Sequence, residues 1–304
     1  MDNIIDPTDL ALWKKAGKIA AQSLNFATKH LKSGASLLEV SEKVEEKIIS
    51  LGGKPAWPVQ INLNQAAAHY CAAPDEKTIL KDEVICIDVG VHIDGAVGDN
   101  AVTIDLSGKY ADLVKASRDA LNNAIKMLAP EVKVGAIGKV IEETIKSYGY
   151  NPVRNLSGHG IGRYDIHATP GIPNFDNRSN VRLQEHMIIA IEPFATDGRT
   201  GLIHEAHDCQ VFMQVKDKNP RSPFGREVLK IVKEYNGLPF APRWLVKQLP
   251  ASKVNFALRE LLKEGIIKGY PPLVEDSGGK VSQAEHTMYI TDKGAIVLTK
   301  SDEY

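Results

Sequence analysis

The sequence predicts an α+β protein built from two similar halves. The order helix, helix, strands occurs twice along the chain, with a repeat of about one hundred residues. Apolar residues recur at helical spacing in the first part of each repeat and in strand-like runs in the second part. The halves share no convincing residue-level identity, so only the order of helices and strands repeats. Two such layers facing each other predict a functional site at the seam between them.

Length and composition limit the classes of protein that the chain can represent. Its 304 residues, 43% of them hydrophobic, suffice for one large domain, or one domain with an insertion. The 37 basic and 38 acidic side chains give a net charge of −1, which disfavours nucleic acid or an acidic membrane surface as a partner. Cys71, Cys86 and Cys209 lack CxxC spacing, which favours a reduced compartment. With no signal peptide and no long apolar run, we expect a cytoplasmic protein.

The helices of both halves can be read from apolar spacing and capping residues. The first helix carries apolar residues from Leu12 to Leu31, and the second begins at Ser36, which forms a capping-box pattern with Glu39. Gly52-Gly53 ends that helix, and a strand-rich region follows over about 56–106. The second half repeats the order with helices at Tyr110–Leu128 and Val134–Tyr148 and strands over about 153–216.

The stretch 217–279 differs from both halves. Three short helical segments followed by the turn Ser277-Gly278-Gly279 are typical of a small winged-helix-like subdomain: Arg226–Tyr235, Pro242–Leu249 and Val254–Gly269. DNA binding is one interpretation, but the charge balance favours an insertion that packs against the site. Strands at Val281–Thr287 and Ala295–Thr299 then return to the main sheet. The sequence therefore predicts a catalytic domain of residues 1–216 and 280–304, interrupted by a helical insertion at 217–279.

Two aspartates on a predicted hairpin are the first sign of a metal site. Asp94-Gly95 is a turn signal between two strand-like runs. If the turn spans His92 to Gly95, residues whose numbers sum to 187 face each other, and Asp88 and Asp99 satisfy that sum. Both carboxylates would then project from one face with Cβ atoms about 5 Å apart, where they repel without a cation. The alternative is that one aspartate only ends a strand.

Three further residues add to this pair. His159 lies between two glycines, Glu192 follows an apolar run, and Glu285 lies in a predicted strand. An isolated buried carboxylate is costly unless it is paired or binds metal. A lone histidine is more often an ordinary core residue, but the accompanying carboxylates favour a role for His159 as a metal ligand. Oxygen ligands with one imidazole suit a pair of divalent first-row ions better than a structural zinc site rich in thiolates.

Five motifs resemble the methionine aminopeptidase family over essentially the whole chain. They are D-V-G with G-D-N-A, N-L-S-G-H-G-I-G, I-H-A-T-P-G-I-P-N, A-I-E-P-F and A-E-H-T. The 93 residues from Glu192 to Glu285 (285 − 192) and the Arg243-Trp244 pair resemble the type 2 branch in its compact archaeal form. The resemblance implies the pita-bread fold with pseudo-two-fold halves, and removal of the initiator methionine from nascent polypeptides.

The resemblance also implies a role for each residue of the metal site. The family's five ligands correspond to Asp88, Asp99, His159, Glu192 and Glu285. Asp99 and Glu285 would bridge two divalent ions (Co, Mn, Fe or Zn), His159 and Glu192 would complete one, and Asp88 would chelate the other. Two ions can lower the pKa of a bridging water and polarise a peptide carbonyl. Glu192 would also act as a catalytic residue that passes a proton to the leaving amine.

Five further positions are expected to bind substrate. By resemblance, His167 would hydrogen-bond the substrate carbonyl or developing oxyanion, and His69 would contact the amide beyond the scissile bond. Trp57, Ile166 and Tyr270 would wall the methionine pocket. Trp57 departs from the family, which usually has a smaller aromatic residue there. The implied substrates begin with methionine followed by a small second residue.

Two alternative functions remain open on the sequence. Xaa-Pro peptidases share the fold and the five ligands but usually have an extra domain before the helices, and only 87 residues precede Asp88 here. A non-catalytic relative that binds RNA or protein would lose ligands, whereas all five are present. We expect a monomer without membrane or specific nucleic-acid partners, and the implied activity is compatible with ribosome association.

Overall fold

The computed structural model describes residues 3–300, in which helices and strands follow the predicted order. The α-helices are α1 (Leu10–His30), α2 (Leu37–Ser50), α3 (Ala111–Lys126), α4 (Val134–Ser147), α5 (Pro223–Val232), α6 (Pro242–Val246) and α7 (Ala251–Lys263), with short 3₁₀ turns at Pro7–Asp9 and Lys233–Tyr235. Within residues 3–300, no helix has both the length and the apolar character needed to cross a membrane.

The strands form small sheets rather than one continuous sheet. In chain order they are β1 (Lys54–Pro55), β2 (Gln60–Leu63), β3 (Ala66–Ala68), β4 (Val84–Ile93), β5 (Ala96–Asp105), β6 (Asn151–Pro152), β7 (Ser157–Gly162), β8 (Asp165–Pro173), β9 (Ile188–Ile191), β10 (Phe194–Thr196), β11 (Ile203–Glu205), β12 (Phe212–Gln214), β13 (Ile267–Gly269), β14 (Leu273–Glu275), β15 (Val281–Gln283), β16 (His286–Ile290) and β17 (Ala295–Val297). The two largest sheets lie one in each half: β1-β4-β2 with β5, and β17-β16-β9-β7-β8.

Each half packs a helix pair on its own sheet. In the first half, α1 and α2 bury Leu24, Val44 and neighbouring apolar residues against β4. In the second half, α3 and α4 bury Leu113 and Ile141 against β9 and β16. Ser36 caps α2 by accepting a hydrogen bond from the backbone N–H of Glu39, as the capping-box pattern predicts. The two helix-backed layers leave the seam between their strands for a site.

The β4–β5 hairpin corrects one prediction. Asp88 pairs with Ala101, and Asp99 pairs with Gly90, so paired numbers sum to 189 rather than 187. The loop contains only Asp94 and Gly95, whose φ angles of 48° and 85° suit a tight two-residue hairpin turn. Direct opposition of the aspartates was therefore wrong. A shift of two residues keeps each side chain on its face, so the two carboxylates are diagonal neighbours on the same side.

Two predicted elements near the C-terminus end earlier than expected. The strand predicted over Val281–Thr287 is divided: β15 pairs with β10, and β16 pairs with β9. Between them Glu285 forms an isolated bridge to Ala101 of β5, so the chain passes from one sheet to another at the site. The third insertion helix ends at Lys263 rather than Gly269, because Gly265 takes a φ of 64° and the chain continues into β13.

The insertion has an apolar core of its own. Residues of α5, α6 and α7 surround Leu245, Val254 and Leu261, all fully buried, and β13 pairs with β12 at the base. Beyond this core, β14 joins β3 and β11, which belong to strand-rich regions of the two halves. The division of the chain at 217 and 279 stays a prediction, and Tyr270 lies on the segment that leads from the insertion to the site.

Candidate metal centre and active site

All ten residues singled out in the sequence line one cavity of about 260 Å³ at the seam. The residues that line it include Trp57, His69, Asp88, Asp99, His159, Ile166, His167, Glu192, Tyr270 and Glu285. The first half contributes through β4, β5 and the segments flanking β2 and β3. The second half contributes through β7, β8 and the residue after β9. The fold therefore brings together side chains that are up to 228 residues apart in sequence (285 − 57, for Trp57 and Glu285).

The carboxylates converge on the imidazole of His159. His159 Nε2 lies 3.7 Å from Asp99 Oδ2 and 3.5 Å from Glu192 Oε1. One ligand atom each from Asp99, His159 and Glu285 lie within 4.8 Å of one another, which is the spacing of a shared metal ion. Asp99 Oδ1 is buried and has no hydrogen-bond partner among residues 3–300. An orphaned buried carboxylate oxygen of this kind is the donor that a cation would satisfy.

The electrostatics of the carboxylates also favour a cation. Burial is the main cause that raises the pKa of Asp88, to about 7, and it raises the pKa of Asp99, Glu192 and Glu285 well above the usual range. Repulsion adds to burial: the Asp88 charge raises the pKa of Asp99, and both aspartates raise that of Glu192. The four carboxyl groups repel one another when they are ionised at the same time. Divalent ions bound between them would offset that repulsion.

His159 is held neutral with a free nitrogen that faces the acids. Burial is the main cause that lowers its pKa to about 3. Its Nδ1 lies 3.2 Å from the carbonyl oxygen of Gly160, which assigns the proton to Nδ1 and leaves the Nε2 lone pair available as a metal ligand. A Cβ at Gly158 would lie 2.4 Å from the Ala190 carbonyl oxygen, so glycine there lets β7 approach β9 closely.

Two orienting residues were not singled out in the sequence. Gln283 Nε2 donates to Glu192 Oε2 at 2.9 Å and lies 3.4 Å from Glu285 Oε2, so one amide holds two carboxylates. The Thr287 hydroxyl accepts from the backbone N–H of Asp99 and donates to its carbonyl, both at 2.8 Å. The available signal was the alternation of Gln283, Glu285 and Thr287 on one face of the predicted strand.

The orientation of the Gln283 amide is itself fixed by a buried thiol. Cys86 Sγ donates to Gln283 Oε1 at 2.9 Å, which directs the amide nitrogen towards the carboxylates. Burial raises the pKa of the Cys86 thiol, so it stays protonated and is a poor metal ligand. The donor set is therefore oxygen with one imidazole, which fits divalent ions such as Mn, Fe, Co or Zn.

Two neutral histidines flank the metal centre. The His167 ring lies edge-to-face with His159, with 4.7 Å between ring centroids, and burial lowers the pKa of His167. His69 has a φ of 64°, uncommon for a residue other than glycine, and its backbone N–H donates to Gln60 Oε1 at 2.6 Å. Burial lowers the pKa of His69 to about 4. His69 Nδ1 lies 3.3 Å from the Pro271 carbonyl oxygen, which assigns its proton to Nδ1 and leaves Nε2 as an acceptor. Near pH 7, neutral His167 can therefore donate a hydrogen bond into the cavity, whereas neutral His69 can accept one.

The apolar side of the cavity comes from three segments. Trp57 is buried, and its Nε1 donates to Asp88 Oδ1 at 3.1 Å. Ile166 packs in the same apolar cluster as Trp57. The Tyr270 ring lies edge-on to His69 with 6.0 Å between centroids. An apolar pocket beside a cluster of carboxylates is suited to a ligand with one hydrophobic side chain and one polar end.

Comparison with known proteins identifies the family. The model of metallopeptidase family M24 matches residues 11–292. The chain belongs to this family. A methionine aminopeptidase of Archaeoglobus fulgidus is 44% identical over 288 residues, which are 94% of this chain and 97% of that protein. The metallopeptidase membership agrees with the buried oxygen-rich donor set, and the use of a divalent metal follows from it.

Two solved structures show the same fold. The methionine aminopeptidase of Thermotoga maritima superposes with a TM-score of 0.71 at 26% identity, covering 99% of this chain and 100% of that one. The prolidase of Pyrococcus furiosus has a TM-score of 0.65 at 20% identity, and the match covers 99% of this chain but 66% of the prolidase. The predicted pita-bread α+β fold is confirmed.

Proposed function

We propose that this M24 enzyme is a methionyl aminopeptidase that removes the initiator methionine from nascent polypeptides by metal-dependent hydrolysis. The observation that carries the proposal is the buried cluster of four carboxylates and one neutral imidazole beside an apolar cavity. The chain's 44% identity to an archaeal methionine aminopeptidase, over 94% of its length, supports this choice of substrate.

Five side chains would hold two divalent ions. Asp99 and Glu285 would bridge the two ions, His159 and Glu192 would complete one of them, and Asp88 would chelate the other. The raised carboxylate pKa values and the unpartnered Asp99 Oδ1 support this assignment. A bound pair of divalent ions would supply a water of lowered pKa and a polarised substrate carbonyl. Which metal is physiological depends on availability as well as on ligand type.

Side chains of the protein would move the protons and stabilise the developing charge. Glu192 accepts a proton from the nucleophilic water and delivers it to the leaving amine, with its carboxylate held by Gln283. His167 would donate to the substrate carbonyl as negative charge develops, and His69 would contact the amide beyond the scissile bond. A donor such as His167 can stabilise the transition state by about 3 kcal/mol.

Substrate selection would come from Trp57, Ile166 and Tyr270. Burying a methionine side chain among them contributes about 1.5–3 kcal/mol. The cavity of about 260 Å³ also contains the metal centre. By resemblance to methionine aminopeptidases, a small second residue in the substrate is part of the proposal.

The remaining assignments concern the enzyme's class and setting. We assign the enzyme to the type 2 branch, because α5, α6 and α7 lie between Glu192 and Glu285. We also propose that it acts as a cytoplasmic monomer on chains emerging from the ribosome, since that is where initiator methionine is first accessible.

Competing tripeptide substrates test the proposal. With Mn²⁺ supplied, we expect Met-Ala-Ser to be cleaved faster than Ala-Pro-Ser by a factor of at least about 100, since a pocket that fits one side chain discriminates by a few kcal/mol. Release of the N-terminal residue is measured by mass spectrometry at equal substrate concentrations. Faster cleavage of the X-Pro peptide would replace the proposal with a prolidase-type activity, and no cleavage of either would favour a binding protein.

A further inference from the structure

Trp57 contacts the metal centre as well as the apolar pocket. Its Nε1 donates to Asp88 Oδ1 at 3.1 Å, and the carboxylate is buried. A Cβ at Gly90 would lie 2.3 Å from the six-membered ring of Trp57, so the indole lies directly against the backbone of β4, two residues beyond Asp88. Among phenylalanine, tyrosine and tryptophan, only the last two carry a donor, and only the indole N–H of tryptophan is a donor without acceptor capacity.

The backbone on both sides of Trp57 is fixed. The Ala56 N–H donates to the Gly90 carbonyl at 2.9 Å. On the other side, the Val59 N–H donates to Glu45 Oε1 at 3.1 Å, and Glu45 is in turn paired with Arg243 of the insertion. With both flanks held and the ring packed on Gly90, the indole N–H has one direction, towards Asp88.

We infer that Trp57 is a positioning residue for the metal-holding carboxylate of Asp88. The N–H occupies one lone pair of Oδ1 and restricts rotation of the carboxylate, so that the remaining lone pairs face the site. Hydrogen bonds to ligating carboxylates orient the ligand, and their loss typically reduces metal affinity by about 10–100-fold. This inference rests on the proposed function, because it takes Asp88 as a metal ligand.

Metal binding by a Trp57→Phe variant is the first test. Phenylalanine keeps an aromatic ring but removes the donor. We expect calorimetric titration with Mn²⁺ to give a dissociation constant raised by at least about 10-fold in Trp57→Phe. The matched control is Trp13→Phe, which changes another buried tryptophan of the same apolar cluster and should keep the wild-type value. Equal Mn²⁺ affinity in wild type and Trp57→Phe would overturn the inference.

A measurement on the unmodified protein covers the case in which Trp57→Phe does not fold. The sequence contains three tryptophans, so their indole N–H resonances can be assigned with Trp13→Phe and Trp244→Phe. Adding Zn²⁺ should shift the Trp57 resonance, because its acceptor becomes a ligand. Trp244 Nε1 also donates to a buried carboxylate, Glu45 Oε2 at 2.9 Å, which is not in the metal centre, so its resonance should stay. A Trp57 resonance that stays while Zn²⁺ binds would contradict the inference.

These outcomes separate the inference from the proposed function. If the wild-type protein binds Mn²⁺ and cleaves Met-Ala-Ser while Trp57→Phe binds Mn²⁺ equally well, only the positioning role is wrong. If the wild-type protein releases no methionine yet Trp57→Phe binds Mn²⁺ less tightly than wild type, the positioning role stands and the substrate assignment is wrong.

Discussion

His159 illustrates how a single residue is prepared by its surroundings. Burial lowers its pKa to about 3, and the Gly160 carbonyl takes the Nδ1 side, so the neutral imidazole presents Nε2 to two carboxylates. In the absence of metal this arrangement is unfavourable for the acids, whose pKa values are raised. The residues of the site therefore reduce stability in the metal-free protein and become favourable when divalent ions bind.

Replacing His159 should remove most activity without unfolding the protein. Because His159→Ala deletes a ligand rather than an outer partner, we expect turnover of Met-Ala-Ser to fall by more than about 100-fold. The circular dichroism spectrum should be nearly unchanged. His204→Ala, which changes an exposed histidine paired with Asp276, is the control and should keep wild-type turnover. An unaltered rate in His159→Ala would show that it is not a ligand.

Replacing Asp99 should stabilise the metal-free protein at neutral pH. The folded-state pKa of Asp99 is raised, so ionisation of this group destabilises the fold increasingly as pH rises above the unfolded value of 3.8. Asp99→Asn removes that cost, which is about 1.4 kcal/mol for each unit of pKa shift. We expect a higher Tm than wild type at pH 7.5, and a difference that shrinks below pH 4, where the carboxyl group is protonated in both states.

Metal should raise the Tm of Asp99→Asn much less than the Tm of wild type. With saturating Mn²⁺, wild type should gain Tm by binding linkage, and Asp99→Asn should gain little. Thermal scans of both proteins at pH 7.5, with chelator and with Mn²⁺, make the comparison. A lower Tm for metal-free Asp99→Asn than for metal-free wild type would contradict this account of the electrostatics.

At the scale of elements, one buried ion pair joins the insertion to the first half. Arg243 of α6 pairs with Glu45 of α2, and both side chains are buried. Glu45 also accepts from Trp244 Nε1 and from the Val59 N–H, next to the segment that carries Trp57. The contact therefore links the position of the insertion to the wall of the cavity.

Replacing only Arg243 should destabilise the protein more than replacing both Arg243 and Glu45. Arg243→Met leaves the Glu45 carboxylate buried without its cation, which typically costs about 3–5 kcal/mol. In Glu45→Gln/Arg243→Met the buried charge is gone, so we expect a smaller loss. Urea unfolding of the two single variants and the double variant gives the coupling. A loss in the double variant equal to the sum of the two single losses would show that the pair is not electrostatically coupled.

Several elements were predictable because their signals are local. The capping box at Ser36 and the glycines after the first two helices define α1 and α2 within a few residues. The Asp94-Gly95 turn predicted a hairpin, but its register was two residues off, because the loop is tighter than assumed. The break between β15 and β16 was missed, because a change of sheet at Glu285 depends on tertiary contacts that alternation along the strand does not contain.

At the scale of the whole molecule, the site exists because two helix-backed layers meet. Asp88 and Asp99 come from one layer, and His159 and Glu192 from the other, so the metal centre forms only when the halves pack together. The ten residues singled out in the sequence are among those that line the cavity. The ligand candidates were singled out because their motifs have chemical character, and Trp57, Ile166 and Tyr270 were singled out by resemblance to the family. Gln283 and Thr287 were missed as orienting residues, since their roles depend on contacts between distant parts of the sequence: Gln283 with Glu192, 91 residues away, and Thr287 with Asp99, 188 residues away.

Metal-dependent release of methionine tests the central claim most directly. The protein is stripped with a chelator, then assayed on Met-Ala-Ser by mass spectrometry before and after addition of Co²⁺, Mn²⁺, Fe²⁺ or Zn²⁺. We predict no release of methionine from the stripped protein and restored release with at least one of these ions. Release that continues at the same rate without metal, or that no ion restores, would contradict the account.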